Sequence, residues 1–224
     1  MFERNICLIG KYNFEKIQQK KVLVVGIGGV GGYALETLVR SGFINIDVID
    51  FDKIDITNLN RQIITNQNNI GNLKIEEAIL HSKSINPKVN IKAFNIFLNK
   101  DNIYEIINNN YDYIIDACDS IETKIELIKL SLENNIKIIS SMGTAKKLDP
   151  EKLTITTLDK TNYDPLAKIM RKKIKDLKIN LKKVIVVSST ELPIKSETLG
   201  SFMMVPAVAG ILCAKYIIED IINN

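Results

Sequence analysis

The stretch KVLVVGIGGVGG, residues 21–32, constrains the fold more than any other part of the chain. Its apolar opening reads as a strand over 21–26 that is buried on both faces of a parallel sheet. Gly26, Gly28 and Gly31 then satisfy the pattern GxGxxG. Glycines let the backbone turn tightly and approach a phosphate, and the N-terminus of a following helix attracts negative charge. That helix is expected over 33–41, with Gly42 ending it. A second strand is expected over 46–50, closing on Asp50. An acid about 20 residues past such glycines accepts hydrogen bonds from ribose hydroxyls. The segment therefore predicts a nucleotide site, and by itself it does not separate NAD from ATP.

Strand and helix patterns keep alternating downstream. Helices are expected over 74–86, 101–109 and 122–134, and strands over 89–96, 111–117 and 136–140. Such alternation argues for a mostly parallel, doubly wound α/β sheet. The pattern changes after residue 145. A half-buried strand over 153–158 is followed by a basic helix opened by Asp164 and Pro165. Its apolar residues Leu166, Met170, Ile174, Leu177 and Leu181 share one face. A strand over 184–188 and a closing helix over 205–220 complete the chain. The expected fold is a Rossmann-like α/β sheet with an antiparallel extension in the C-terminal third. We read one domain over 1–224, with a nucleotide-binding core at 1–145 and an extension at 146–224.

Composition narrows the chemistry. Hydrophobic residues make up 46% of the 224 positions, enough to bury a core. The single histidine, His81, argues against a Ser-His-Asp triad and a histidine-rich metal site. Cys7, Cys118 and Cys213 form no CxxC pair, so a structural zinc site lacks its ligands. The first residues carry an acid and no clean apolar run, unlike a signal peptide. The apolar stretch 205–222 is interrupted by Lys215, Glu219 and Asp220, which reads as a buried or amphipathic helix and not a membrane span. The expectation is a cytoplasmic protein with no membrane partner. The net charge of +4 is concentrated in residues 168–183, where eight Lys or Arg face one acid. Such a run is either a solvated helix face or a surface for a polyanion such as RNA.

The chain beyond Asp50 is unlike a dehydrogenase. The segment DFDKIDITNLNRQ supplies Asp52, Asn58, Arg61 and Gln62, and Lys74 opens the next helix. YDYIIDACDS brings Asp116 and Asp119 to a strand end, and the carboxyl edge of such a sheet faces the ligand. An Arg, a Lys and an Asp could thus converge on nucleotide phosphates. Cations there stabilise phosphoryl charge, and a carboxylate can hold Mg. Hydride transfer needs no such clamp.

GxGGxG, DxDxxxxxNxxRQ, Lys74 and DxxDS together resemble the ThiF/MoeB family of adenylating enzymes, which is related to ubiquitin activators. The resemblance implies ATP and Mg as cofactors. It implies Gly26, Gly28, Gly29 and Gly31 under the phosphates, Asp50 and Asp52 by the ribose, and Asn58, Arg61, Gln62 and Lys74 on the phosphates. Asp119 would coordinate Mg. Arg4, in RNICLIG, resembles an N-terminal arginine that family members insert into the neighbouring subunit's site, which implies a homodimer. Arg4, Arg61, Lys74 and Asp119 are thereby the expected catalytic set.

GTAKKLDP, DKTNYDPLAKIMRKKIK, VVSSTELP and LGSFMMVPAVAG (residues 143–150, 159–175, 186–193 and 199–210) are similar to one branch of that family. That branch dehydrates threonylcarbamoyladenosine in tRNA: it adenylates the threonine carboxylate, and an internal nitrogen then displaces AMP. The implied partner is tRNA carrying threonylcarbamoyladenosine, with a sulfur-relay protein as a further association left open. Thr161, Asp164 and Arg171 would line the substrate side, with Thr161 as helix cap the plainer reading. Arg171, Lys172, Lys175 and Lys178 would face outward toward RNA. None of the cysteines has the surroundings of an activated nucleophile, and Cys118 sits among carboxylates that raise its pKa. The alternative function is activation of a small ubiquitin-like sulfur-carrier protein. An NAD-dependent oxidoreductase would leave Arg61, Lys74 and Asp119 unexplained.

Overall fold

The computed structural model describes residues 1–107 and 110–224. Seven strands form one sheet in the order β3-β2-β1-β4-β5-β7-β6. They are β1 (Lys21–Val25), β2 (Asn45–Ile49), β3 (Asn90–Phe94), β4 (Tyr113–Asp116), β5 (Lys137–Ser141), β6 (Leu153–Thr157) and β7 (Ile185–Ser189). All pairings are parallel except β6 on β7, which is antiparallel as the change of pattern past residue 145 predicts.

Period-two alternation on β1 sends side chains to two separate cores. Val22 and Val24 join a cluster with Ile17, Leu35, Ala78 and Cys213. Leu23 and Val25 join another with Ile103, Leu127 and Met170. The first layer is built by α2 (Lys11–Gln19), α3 (Gly31–Arg40), α4 (Lys74–Ile85) and α8 (Met204–Asn223). The second is built by α5 (Ile103–Ile107), α6 (Ile121–Glu133) and α7 (Pro165–Asp176). The last two residues of the helix expected over 101–109 lie outside the described residues. Each fully buried Val, Leu or Ile contributes roughly 1.5–3 kcal/mol, so β1, wholly apolar past Lys21, anchors both layers.

Two helices have no clear counterpart in the sequence pattern: α1 (Glu3–Ile9) and α2. Helix α2 is polar on average and buries only Phe14 and Ile17, a three-residue spacing too short to stand out as a periodic pattern. The basic helix ends sooner than expected. Leu177 is its cap and is exposed, and Lys178 takes a left-handed backbone (φ 59°).

The sheet order reverses between β1 and β4, and ligands of such sheets bind outside the carboxyl ends of the strands at that point. Two glycines let the chain close there. Gly26 has φ 86°, and a Cβ on it would fall 2.8 Å from the Ala117 carbonyl oxygen. A Cβ on Gly31 would fall 1.7 Å from the Gly26 carbonyl oxygen. Both are backbone collisions that no rotamer relieves.

Candidate active site

A cavity of about 940 Å³ opens at this switch point. Its lining includes Gly26, Gly28 and Gly29 from the turn after β1, and Asp50 and Asp52 after β2. Asn58, Arg61, Gln62 and Lys74 line it from the connection to α4, and Asp119 from the turn after β4. The sheet thus brings these named residues together across 93 positions of sequence, from Gly26 to Asp119.

The glycine turn is shaped as a cradle. A Cβ on Gly28 would meet nothing nearer than the Gln62 Nε2, 3.9 Å away. Val30 precedes α3 without a side-chain cap; the Gly32 amide already donates to the Gly28 carbonyl at 3.0 Å and the Ala34 amide to the Val30 carbonyl at 3.0 Å, so the helix N-terminus offers a bound anion its dipole and not a full row of free amides. Among the described residues, buried Gln62 has an Oε1 atom with no partner. Buried acceptors are normally satisfied, and an orphan on a cavity wall fits a site shaped for a ligand. Gly31 is outside the lining; its lack of a side chain serves the close contact with Gly26.

The polar residues are held before any ligand arrives. Asp50 is buried and accepts from the Ile27 amide at 2.6 Å and the Asp52 amide at 2.8 Å. Each carboxylate oxygen keeps a further lone pair for a hydroxyl. Asn58 is buried and accepts from the Asp55 amide at 3.1 Å. Arg61 donates through Nη1 to the Thr57 carbonyl at 2.7 Å and to Asn60 Oδ1 at 2.9 Å, which fixes its plane and leaves its other N–H groups for the cavity. Lys74 is buried, with its Nζ 2.7 Å from Asp52 Oδ2. Asp119 is exposed on the rim.

Asp116, also expected to face the ligand, is fully buried behind the wall instead. Lys124, equally buried, donates to Asp116 Oδ1 and Oδ2 at 3.1 Å each and to the Ser141 carbonyl at 2.9 Å. Ser140 also donates to Asp116. Burial is the largest single influence on the Lys124 pKa and pulls it down; the charge of Asp116, its hydrogen bond to Lys124 and the nearby thiols together outweigh it, and the net shift is upward. Asp116 also accepts from the Cys118 amide and thiol, so the pair fixes the turn that carries Asp119. The sequence does carry one signal for this pair. Helical spacing puts Lys124 on the same stripe as Ile121, Ile125 and Ile128, where a lysine needs a buried partner.

Cys118 and Cys213 are not activated. Burial, with Asp116 adding to it, pushes the Cys118 thiol far above its ordinary value despite nearby Lys124. Burial pushes Cys213 up to about 12. Both are thiols at neutral pH.

Thr161, Asp164 and Arg171 do not line the cavity. Asp164 is the N-cap of α7, accepting from the Ala167 amide at 3.0 Å, and it pairs with buried Lys147 at 3.0 Å. Thr161 donates to the Leu158 carbonyl, and Arg171 turns back to donate to the Thr161 carbonyl at 2.7 Å and to its hydroxyl. Arg171 therefore does not point to solvent, and the cap is Asp164 and not Thr161.

Arg4 lies on α1. Asn5, its neighbour, donates weakly to the Arg40 carbonyl at the C-terminal end of α3. The cavity is at the other end of α3, about 15 Å away for a ten-residue helix. Arg4 is exposed and absent from the lining of its own cavity.

No helix among the described residues is long and apolar enough to cross a membrane. The tRNA threonylcarbamoyladenosine dehydratase of Bacillus subtilis is 35% identical to this chain, over 100% of the chain and 95% of that protein. The crystal structure of Escherichia coli tRNA N6-threonylcarbamoyladenosine dehydratase in complex with ATP superposes with a TM-score of 0.94 at 32% identity, covering 99% of this chain and 93% of that one. The AMP complex of the same enzyme gives 0.93 at 32% identity, covering 98% and 93%. The ThiF family model matches residues 2–223, and with the glycine turn, Asp50, Arg61, Lys74 and Asp119 gathered at one cavity, the chain belongs to the ThiF family.

Proposed function

We propose that this protein is an ATP-dependent dehydratase of tRNA carrying threonylcarbamoyladenosine, working through a single adenylating domain that spans the chain. The observation that carries the reading is the convergence of Gly28, Gly29, Asp50, Arg61, Lys74 and Asp119 on one cavity. The substrate is inferred from the dehydratases that the chain resembles over nearly its whole length.

The chemistry suits the site. A carboxylate is a poor electrophile until one of its oxygens becomes part of a leaving group. The threonine carboxylate of the nucleoside attacks the α-phosphorus of ATP, and pyrophosphate leaves. An internal nitrogen of the same nucleoside then attacks the acyl carbon, AMP departs with the carboxylate oxygen, and the nitrogen gives up its proton. The balance is loss of one water from the nucleoside and cleavage of one ATP. Holding nucleophile and acyl carbon in one molecule replaces a bimolecular encounter.

The chain's own groups divide the work. The glycine turn and α3 N-terminus bind phosphate oxygens, Asp50 accepts from the ribose with Asp52 beside it, and Gln62 and Asn58 complete the wall. Arg61 and Lys74 offset charge gathering on the departing pyrophosphate. Asp119 is the carboxylate that would hold Mg²⁺ next to the phosphates; this ion takes one or two carboxylates plus phosphate oxygens and water, and one rim aspartate fits that demand. Bound Mg²⁺ would neutralise phosphate charge. ATP turned over on modified tRNA should yield AMP and pyrophosphate, one of each per nucleoside converted; release of ADP would contradict adenylation.

A homodimer is part of the same proposal. Arg4 is too far from its own cavity to act there, so a role in catalysis requires a second subunit. Arg4→Ala should lower ATP turnover by about tenfold or more, as loss of a charge-assisted contact of about 1.5–3 kcal/mol implies, while the melting temperature stays unchanged. Wild-type turnover in that variant would remove Arg4 from the site. The reading places the protein in the cytoplasm with its tRNA and ATP, where a sulfur-relay protein is a further candidate partner.

A further inference from the structure

The unusual feature outside the cavity is the charge on α7. Lys168, Lys172 and Lys175 are exposed and recur at i, i+4 and i+7, so they share one face of the helix opposite buried Ala167, Met170 and Ile174. The stripe runs about 10 Å along the axis at 1.5 Å per residue. Lys173 and Lys178 flank it. Among the described residues none of these five lysines takes part in an ion pair. Exposed Lys53, Lys83, Lys88 and Lys100 are unpaired too, but they are scattered; what sets α7 apart is that three such charges line one stripe of a single helix.

The helix is also wired to the cavity. Leu166, in its first turn, lines the cavity wall. Its N-cap Asp164 is bound by Lys147, which also donates to the Gly143 carbonyl at 2.7 Å. Gly143, Thr144 and Ala145 form the same wall. At the foot of the helix Tyr163 is 61% exposed and held in a left-handed conformation (φ 58°). A non-glycine residue takes that conformation at a cost, and the ring it presents to solvent is of a kind on which unpaired bases stack.

We propose that α7 is the docking rail for the tRNA backbone: Lys168, Lys172 and Lys175 bind phosphates, and the helix leads from them to the cavity where the modified nucleoside reacts. This rests on the tRNA reading of the cavity. Unpaired cations on one stripe are the footprint of phosphate contacts, which position a nucleic acid without reading its sequence. An acidic protein is the competing occupant and is left to the test.

The test uses the full chain with three lysines reversed together (K168E, K172E and K175E), and a second variant with all three as alanine should reversal disturb folding. Binding to tRNA carrying threonylcarbamoyladenosine is measured by fluorescence anisotropy across a salt series, and ATP affinity by calorimetry. We expect tRNA affinity to fall at least tenfold at ~0.1 M salt. The slope of log affinity against log salt should become shallower by about 2–3, in line with the lost phosphate contacts. ATP affinity should be unchanged. If both variants bind tRNA like wild type with the same slope, the rail is wrong while the tRNA reading stands. A wild-type protein that binds no tRNA at any salt overturns both. Wild-type binding of an acidic protein that the variants lose, with tRNA bound equally by all, overturns the rail in favour of a protein surface.

Discussion

Replacing Lys124 by methionine is expected to destabilise the folded chain by about 3–5 kcal/mol, because it leaves the Asp116 carboxylate uncompensated in the interior. Both side chains of the pair are fully buried. Against the ~5–15 kcal/mol that holds a typical domain together, this is a large fraction. At about 2–4 °C per kcal/mol for a chain of this size, the melting temperature should drop on the order of 10 °C. Adding Asp116→Asn to Lys124→Met should recover much of the loss, since the buried charge is then gone. Thermal unfolding of the single and double variants checks both statements. A single variant within about 1 kcal/mol of wild type would mean that water reaches the pair.

Asp119→Asn should act in the opposite sense, leaving stability intact and removing activity. Asp119 is exposed on the rim, and Asn preserves its shape. What is lost is the negative oxygen beside the phosphates. Removing one electrostatic contributor of this sort costs about 10²–10³ in rate. Adenylation, followed as ATP–pyrophosphate exchange in the presence of modified tRNA, should fall by that factor with an unchanged melting temperature. Exchange at the wild-type rate would take Asp119 out of the active set.

Much of the nucleotide site is legible in the sequence because its parts are local. A buried strand, a glycine turn, a helix and an acid at the next strand end specify one another within residues 21–50, so Gly26, Gly28 and Asp50 can be read directly. Arg61, Lys74 and Asp119 are readable only as a joint pattern, since in the sequence each alone reads as an ordinary surface residue. The interior ion pairs are not legible in the same way. Lys124 meets Asp116, and Lys147 meets Asp164, because α6 lies back on β4 and the 143–147 loop lies against the start of α7. Those meetings are set by tertiary packing, which propensity does not encode. The sequence pattern accordingly points Asp116 to the ligand side and Arg171 to solvent, when each is turned toward an internal partner. Helix α2 leaves little trace in the pattern because the core holds it through only two buried side chains.

The central claim is most directly tested by incubating the protein with Mg-ATP and tRNA carrying threonylcarbamoyladenosine, digesting the tRNA mildly, and weighing the nucleosides by mass spectrometry. The account predicts a nucleoside lighter by one water, formed only when ATP is present and matched by AMP. An unchanged nucleoside mass from a protein that binds ATP and tRNA would contradict it, and would turn attention to a carrier protein as the carboxylate substrate.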